Sequence, residues 1–301
     1  MTSPNNAKDG ATSTTQNALA ASLAGFSIEM GSHESESFGK LAHRLPEGTD
    51  VFLNLFPKDE LERQIEICRQ IRNLGFTPIP HLAARRARST DDIPRILGRF
   101  TTDAGVKDFL IIAGDLEQPA GDTKDSLEFI RTIGSNDFGI RRIGISGYPE
   151  GHPLISDEDL STSQQEKIAI LQELEIEPVI VTQFSFDPDA IIRYCTELHS
   201  RYPDIQIKNG LPGPAKLTTL IRFAQRCGVK SSMKKLKSLP VSSSLRLMQR
   251  VPPTRQAEAI GNYRLTQNEN VTVHLFTFGG LEASLDWVDS EIAARSGEPD
   301  E

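Results

Sequence analysis

Leu110-Ile111-Ile112-Ala113-Gly114-Asp115 is a short apolar run that stops on a glycine and a carboxylate. Runs of the same kind recur on both sides of it. Upstream lie Gly25 to Met30, Asp50 to Leu55 and Thr77 to Leu82. Downstream lie Arg142 to Tyr148, Pro178 to Gln183, Ile205 to Asn209 and Val271 to Phe278. Most end on a polar side chain, and amphipathic helical stretches separate them. One such stretch opens at Pro57-Lys58-Asp59, carries Leu61, Ile65, Cys68, Ile71 and Leu74 on one face, and stops at Gly75.

Strand and helix alternate eight times, in units of roughly 25–40 residues, which predicts a single-domain α/β fold, the (β/α)8 TIM barrel. An open doubly wound sheet would use five or six strands and, if it bound a dinucleotide, GxGxxG after the first. Neither is present. The two prolines of Thr77-Pro78-Ile79-Pro80-His81-Leu82 are awkward for a central strand. Ser161 or Thr162 is the expected cap of the helix running to Leu174, and another helix is expected from about Thr123 to Ile133. Residues 230–268 break the rhythm and read as extra helices between strands seven and eight, including Thr254 to Leu265. Residues 1–24, rich in Thr, Ser, Asn, Gln and Ala, read as a disordered lead-in, with the barrel over 25–301.

Composition narrows the function. A chain of 301 residues, 38% apolar, can bury a full core, and a net charge of −8 argues against a nucleic-acid surface. The basic cluster Lys230, Lys234, Lys235 and Lys237 lacks interleaved aromatics and reads as a solvated face. Three widely spaced cysteines (Cys68, Cys195, Cys227) without CxxC fit reduced, buried thiols of a cytoplasmic protein. No run approaches the roughly 18 residues of a membrane span, and no signal peptide is read at the start.

A barrel gathers the carboxyl ends of its strands at one mouth. There it would collect Glu29, Asn54, His81, Asp115, Tyr148, His152, Gln183 and Asn209. Each residue also has a structural reading. Glu29 could sit exposed on a strand edge, His81 could be a core histidine, Asp115 could close an Asx turn, and His152 could serve a Pro/Gly-rich turn.

Taken together, Ser27-Ile28-Glu29, Pro80-His81-Leu82, Gly114-Asp115, Tyr148-Pro149-Glu150-Gly151-His152-Pro153 and Thr182-Gln183-Phe184-Ser185-Phe186-Asp187 resemble the 5,10-methylenetetrahydrofolate reductase family. The resemblance runs from about residue 25 to the end. It implies a folate-dependent oxidoreductase of one-carbon metabolism and methionine biosynthesis, which interconverts 5,10-methylene- and 5-methyltetrahydrofolate with NAD(P)H. Glu29 then matches the general acid, and Asp115 the carboxylate beside flavin and pterin. Gln183 matches the pterin-recognition residue. Phe184, Phe186 and Phe223 are candidate substrate walls, with core packing as the alternative for each. Asn54, His81, Asp115, Tyr148 and His152 fall at cofactor-contacting positions.

The departures concern the flavin. Ala113 stands where an arginine is expected, Gln172 where a lysine is expected, and Asn54 where a threonine is expected. Guanidinium and ammonium groups suit a pyrophosphate best, so FAD is the expectation these positions weaken. Hydride transfer either passes through FAD or comes directly from NAD(P)H. Two further function classes stay open. One is a non-catalytic folate- or nucleotide-binding barrel. The other is a metal-dependent hydrolase or aldolase using His81, Asp115 and His152, although no His-x-His stands on strand one and no metal is assigned. Tetrahydrofolate derivatives are the expected partners, with self-association through the outer helices also open.

Overall fold

The computed structural model describes residues 17–54, 60–134, 137–229 and 250–296. Eight parallel strands close a (β/α)8 TIM barrel: β1 (Ser27–Gly31), β2 (Asp50–Asn54), β3 (Thr77–Ala83), β4 (Asp108–Ile112), β5 (Arg142–Gly147), β6 (Glu177–Thr182), β7 (Gln206–Pro212) and β10 (Val271–Phe276). Their order around the barrel is β1-β10-β7-β6-β5-β4-β3-β2. The short β8 (Ala215–Lys216) and β9 (Arg250–Val251) pair antiparallel as a separate ribbon. The helix Thr254–Thr266 matches the expected extra helix, while Lys230 to Lys237 lies outside the described residues, as do residues 55–59.

Contacts gather the chain into two compact units, one of Ser27–Thr182 and one of Met1–Phe26 with Gln183–Glu301. In the first unit, β1 to β6 follow one another in register. Glu29 lies opposite Phe52, Phe52 opposite Ile79, His81 opposite Leu110, and Leu110 opposite Gly144. Side chains alternate between the two faces of a strand. Phe52, Ile79, Leu110, Val179 and Val181 therefore pack with Ile112 as one apolar interior. Met30 points the other way, lining a cavity of about 330 Å³ with Phe38, Ile67 and Ile71. Glu29, its neighbour in sequence, faces the interior. A side chain at Gly144 would come within 3.0 Å of Leu110 Cδ1 and 3.2 Å of Val181 Cγ2, so the bare backbone leaves room for both.

The prolines of β3 are accommodated by the register. Pro78 and Pro80 align with Val51 and Leu53 of β2, whereas the ladder to β4 begins only at His81. The missing N–H groups therefore fall where no β4 ladder asks for a donor. Other boundaries move for local reasons. The helix expected from Thr123 starts at Ser126, because the Asp125 side chain accepts from Leu127 N and Glu128 N at 2.9 Å each. The next helix spans Asp157–Glu173 and is capped by Ser156, not by Ser161 or Thr162. Three carboxylates occupy its first turn, where the helix dipole favours them.

In the second unit, residues 17–23 are helical and bury Ala18, Leu19 and Leu23. This corrects the expected disordered lead-in over that part of residues 1–24, since three apolar side chains at helical spacing gain a packing partner. Arg264 donates to the carbonyls of Ala21 (3.1 Å) and Ala24 (2.6 Å), closing the end of this turn.

At the amino ends of the strands of the first unit, Arg142 donates to both oxygens of Asp50 (3.1 and 2.8 Å) and to Oδ1 of Asp108 (2.9 Å). Arg141 closes on Asp108 from the other side at 3.0 and 2.5 Å. One guanidinium thus ties the starts of β2, β4 and β5. Removing it takes three hydrogen bonds from two carboxylates, one of them only 3% exposed. Arg142→Met is expected to lower stability by about 3 kcal/mol or more, read from the urea midpoint at constant m-value. A loss below about 1 kcal/mol would show that the network is not structurally required.

Candidate functional site

The first unit carries three groupings of the expected residues at or near the carboxyl ends of its strands. In the innermost, Asn54 Nδ2 donates to Glu29 Oε1 at 3.3 Å, and His81 Nε2 stands 3.8 Å from Glu29 Oε2. His81 is itself held edge-on against Phe52, ring centroids 5.9 Å apart. The Glu29 side chain is only 14% exposed. Burial raises its pKa above the ordinary carboxyl value, and the opposing pull of His81 and of the Asn54 hydrogen bond does not cancel that effect. Such a carboxyl holds a proton where solvent-exposed glutamates have lost theirs, which is the property of an acid catalyst.

Asp115 has a different environment. It follows Ala113 and Gly114 beyond the end of β4, its side chain is 61% exposed, and its Oδ1 receives Arg86 Nη2 at 2.5 Å. Gly114 adopts φ +95°, and a Cβ there would approach Ala83 Cβ to 3.1 Å, so a glycine brings the ends of β3 and β4 together. Arg86 belongs to the run Ala84-Arg85-Arg86-Ala87-Arg88 directly after β3. Its role becomes visible only once β3 and β4 are neighbours.

Tyr148 and His152, after β5, meet edge-on at 5.3 Å. His152 Nδ1 accepts the Leu154 N–H at 3.2 Å, so its neutral form carries the proton on Nε2. Burial lowers its pKa and favours that neutral donor. Burial likewise raises the Tyr148 pKa, against a hydrogen bond with Ser146 that lowers it. Among the described residues, no three His, Cys, Asp or Glu side chains converge as metal ligands. The hydrolase or aldolase reading through His81, Asp115 and His152 therefore lacks its ligand set.

In the second unit, Gln183 stands immediately after β6, with its Oε1 accepting the Phe184 N–H at 3.0 Å. The oxygen is turned to the backbone, and the NH2 group is the end left to act as a donor. Phe184 is 1% exposed and packs edge-on against Phe186, Phe276 and Phe278. It is a core residue, which corrects its expected place as a substrate wall: three aromatic neighbours enclose it. Phe186 and Phe223 remain partly exposed. Phe223 is stacked on Phe278 with centroids 4.0 Å apart and planes 8° from parallel. Asn209 is also displaced from the expected mouth. It is fully buried, bonded to Cys195 Sγ at 3.3 Å and to the Thr272 carbonyl at 3.5 Å. Its neighbour Lys208 takes the opposite face and is 3% exposed. Reading from the strand ends inward missed Lys208, which does not terminate its apolar run, and Phe278, which reads as the tail of its strand although β10 ends at Phe276.

The raised pKa of Glu29 has a consequence for stability. The folded state holds this proton more tightly than the unfolded chain. The stabilisation it brings is complete below the ordinary carboxyl pKa and is lost as pH rises through the folded-state value. Glu29→Gln lacks that loss. The melting temperature of the variant relative to wild type should therefore climb as pH is raised from about 4.5, the ordinary value for a free glutamate, and then level off. A difference independent of pH would show that Glu29 is not desolvated.

Comparison with known proteins agrees with this architecture. A stretch of 104 residues, 34% of the chain, is 28% identical to methylenetetrahydrofolate reductase 2 of Saccharomyces cerevisiae, and it spans 16% of that relative. A solved structure of a Clostridium thermocellum protein, described as binding two copies of 5-methyl-5,6,7,8-tetrahydrofolic acid, superposes with a TM-score of 0.56. It is 13% identical and covers 92% of this chain and 99% of its own, a likeness of fold. The methylenetetrahydrofolate reductase family model matches residues 34–276. With most of its length matched, the chain belongs to the methylenetetrahydrofolate reductase family.

Proposed function

We propose that this chain is a folate-dependent oxidoreductase that converts 5,10-methylenetetrahydrofolate and NAD(P)H to 5-methyltetrahydrofolate and NAD(P)+, or runs the reverse reaction. Family membership supports the reaction class, and the observation that carries the reading is the buried, proton-retaining Glu29 between Asn54 and His81. The bridged methylene carbon must be freed from one nitrogen before it can accept hydride. In this reading Glu29 gives its proton to the leaving nitrogen, the C–N bond breaks toward it, and an iminium remains on the other nitrogen. Hydride from the nicotinamide then adds to the methylene carbon, leaving a methyl group and a glutamate carboxylate that regains a proton from solvent. Asp115 favours the cationic iminium.

The three positions that the resemblance assigns to the flavin bear on the hydride source. A bound FAD would need positive groups for its pyrophosphate. Ala113 supplies none, Gln172 is a neutral residue on the exposed face of the helix Asp157–Glu173, and the amide of Asn54 is spent on Glu29. The residues at these three positions do not fit the flavin. They support direct transfer from NAD(P)H, so no step here runs through FAD.

Glu29→Gln preserves the shape of the side chain and removes the proton. Turnover of methylenetetrahydrofolate is expected to fall by about 10²–10⁴-fold, with tetrahydrofolate affinity changed by less than about threefold. NAD(P)H oxidation followed at 340 nm, together with folate titration, checks both. Undiminished turnover would remove Glu29 from the chemistry. Folate binding without NAD(P)H oxidation by the wild-type protein would point instead to a binding barrel.

A further inference from the structure

We infer that His199 is a pH-sensitive latch of the second unit. As a neutral ring it fastens the helix Thr254–Thr266 to the helix Pro188–Arg201, and as an imidazolium it frees the first of these together with the helical residues 17–23 seated on it. The latch does not depend on the function proposed above.

The two ring nitrogens are set in opposite roles. His199 Nε2 lies 3.0 Å from the Ile205 carbonyl, which can only accept, so Nε2 carries the proton. Nδ1 is then the acceptor, and the Tyr263 hydroxyl donates to it at 3.1 Å. The two rings lie 24° from parallel, and the residues are 7% and 6% exposed. One buried imidazole thus joins its own helix, the lead-in to β7 and the helix Thr254–Thr266. A second proton would have to enter at Nδ1, against the Tyr263 hydrogen. Tyr263 can turn that hydrogen to the Thr196 hydroxyl, but the new positive charge stays buried.

The surroundings offer that charge no counter-ion. Cys195, one turn earlier on the same helix, is a neutral thiol whose pKa burial pushes up to about 12. Glu197 and Arg201 bond each other at the surface, and Asp204 beside Ile205 is exposed. Among the described residues none of these acts on the ring: burial lowers the His199 pKa, and the Ile205 carbonyl opposes it only in part. An unpaired buried cation is costly, and opening the helix contact relieves it. The helix Thr254–Thr266 in turn carries residues 17–23. A Cβ at Gly261 would collide with the Ala18 carbonyl, and Arg264 donates to the carbonyls of Ala21 and Ala24. Tyr263, the residue His199 holds, lies between these two attachments in the chain. The ordinary histidine value is 6.5 and the folded value lies below it. The latch therefore contributes fully above the ordinary value and is lost as pH falls through the folded one, with opening favoured by about tenfold per pH unit between them.

The test is hydrogen exchange of the full chain, read by mass spectrometry from about pH 7.5 to about pH 5 and corrected for the chemical exchange rate. In wild type, protection of peptides covering 17–23 and 254–266 should fall below pH 6.5, approaching about tenfold per pH unit. The helix Leu61–Asn73 of the first unit should not follow. His199→Gln offers one donor and one acceptor but does not titrate, so its protection in those peptides should stay level. If that variant exchanges freely at every pH, Tyr263→Phe decides: it keeps the ring and removes the donor to Nδ1, so the fall should level off at a higher pH than in wild type. Constant protection in wild type, or an equal fall in His199→Gln, would overturn the latch. So would the same fall in Leu61–Asn73, or a profile of Tyr263→Phe identical to wild type.

Discussion

Arg142 reaches across the start of three strands, and the architecture of the first unit depends on that reach. β2 and β5 are not neighbours in the barrel, yet the same guanidinium binds Asp50 at the head of one and belongs to the head of the other, with Asp108 of β4 between them. Burial works against its charge, but the hydrogen bonds to Asp108 and Asp50 outweigh it and hold its pKa above the ordinary arginine value. Parallel strands all begin on the same side. Neutralising the charges there leaves the carboxyl ends as the place where unpaired polar chemistry can be spent.

That division gives two carboxylates contrary environments. Glu29 lies within the apolar interior begun by Phe52 and Ile79, with an amide and an imidazole as neighbours. Asp115 lies in an exposed loop against Arg86. Desolvation acts on Glu29, so it keeps a proton that an exposed carboxyl would lose. A pair of acids separated in this way suits a reaction that needs a proton donor and a stabiliser of positive charge at once. In the proposed reaction the substrate is a folate, and the departures at Ala113 and Gln172 favour the nicotinamide as the proposed hydride source.

The aromatic cluster of the second unit illustrates why candidate walls are hard to read one residue at a time. Phe184, Phe186 and Phe223 are chemically equivalent in sequence. In the fold Phe184 is interior, while Phe223 already shares its face with Phe278. Phe278 reaches it because β10 ends at Phe276 and the chain turns at once, Gly280 N–H donating to the Thr277 carbonyl at 2.8 Å. An aromatic two residues beyond a strand end looks like the tail of the strand until that turn is known.

The sequence by itself determined the barrel, because apolar runs of strand length alternating with amphipathic helices have few other ways to bury their faces. It also determined that Glu29, His81 and Asn54 end in one neighbourhood, since each sits near the end of a successive strand and register brings neighbouring strands together. Only the tertiary structure decided what each polar side chain touches. Asn209 and Lys208 are adjacent in the chain and point to opposite faces, and a strand shifted by one residue would exchange them. Arg86 gained Asp115 as a partner from 29 positions away, through a β3–β4 contact that no local pattern encodes. Burial and pairing are properties of distance in space, and a charge run or an acidic side chain carries neither until the fold supplies its neighbours.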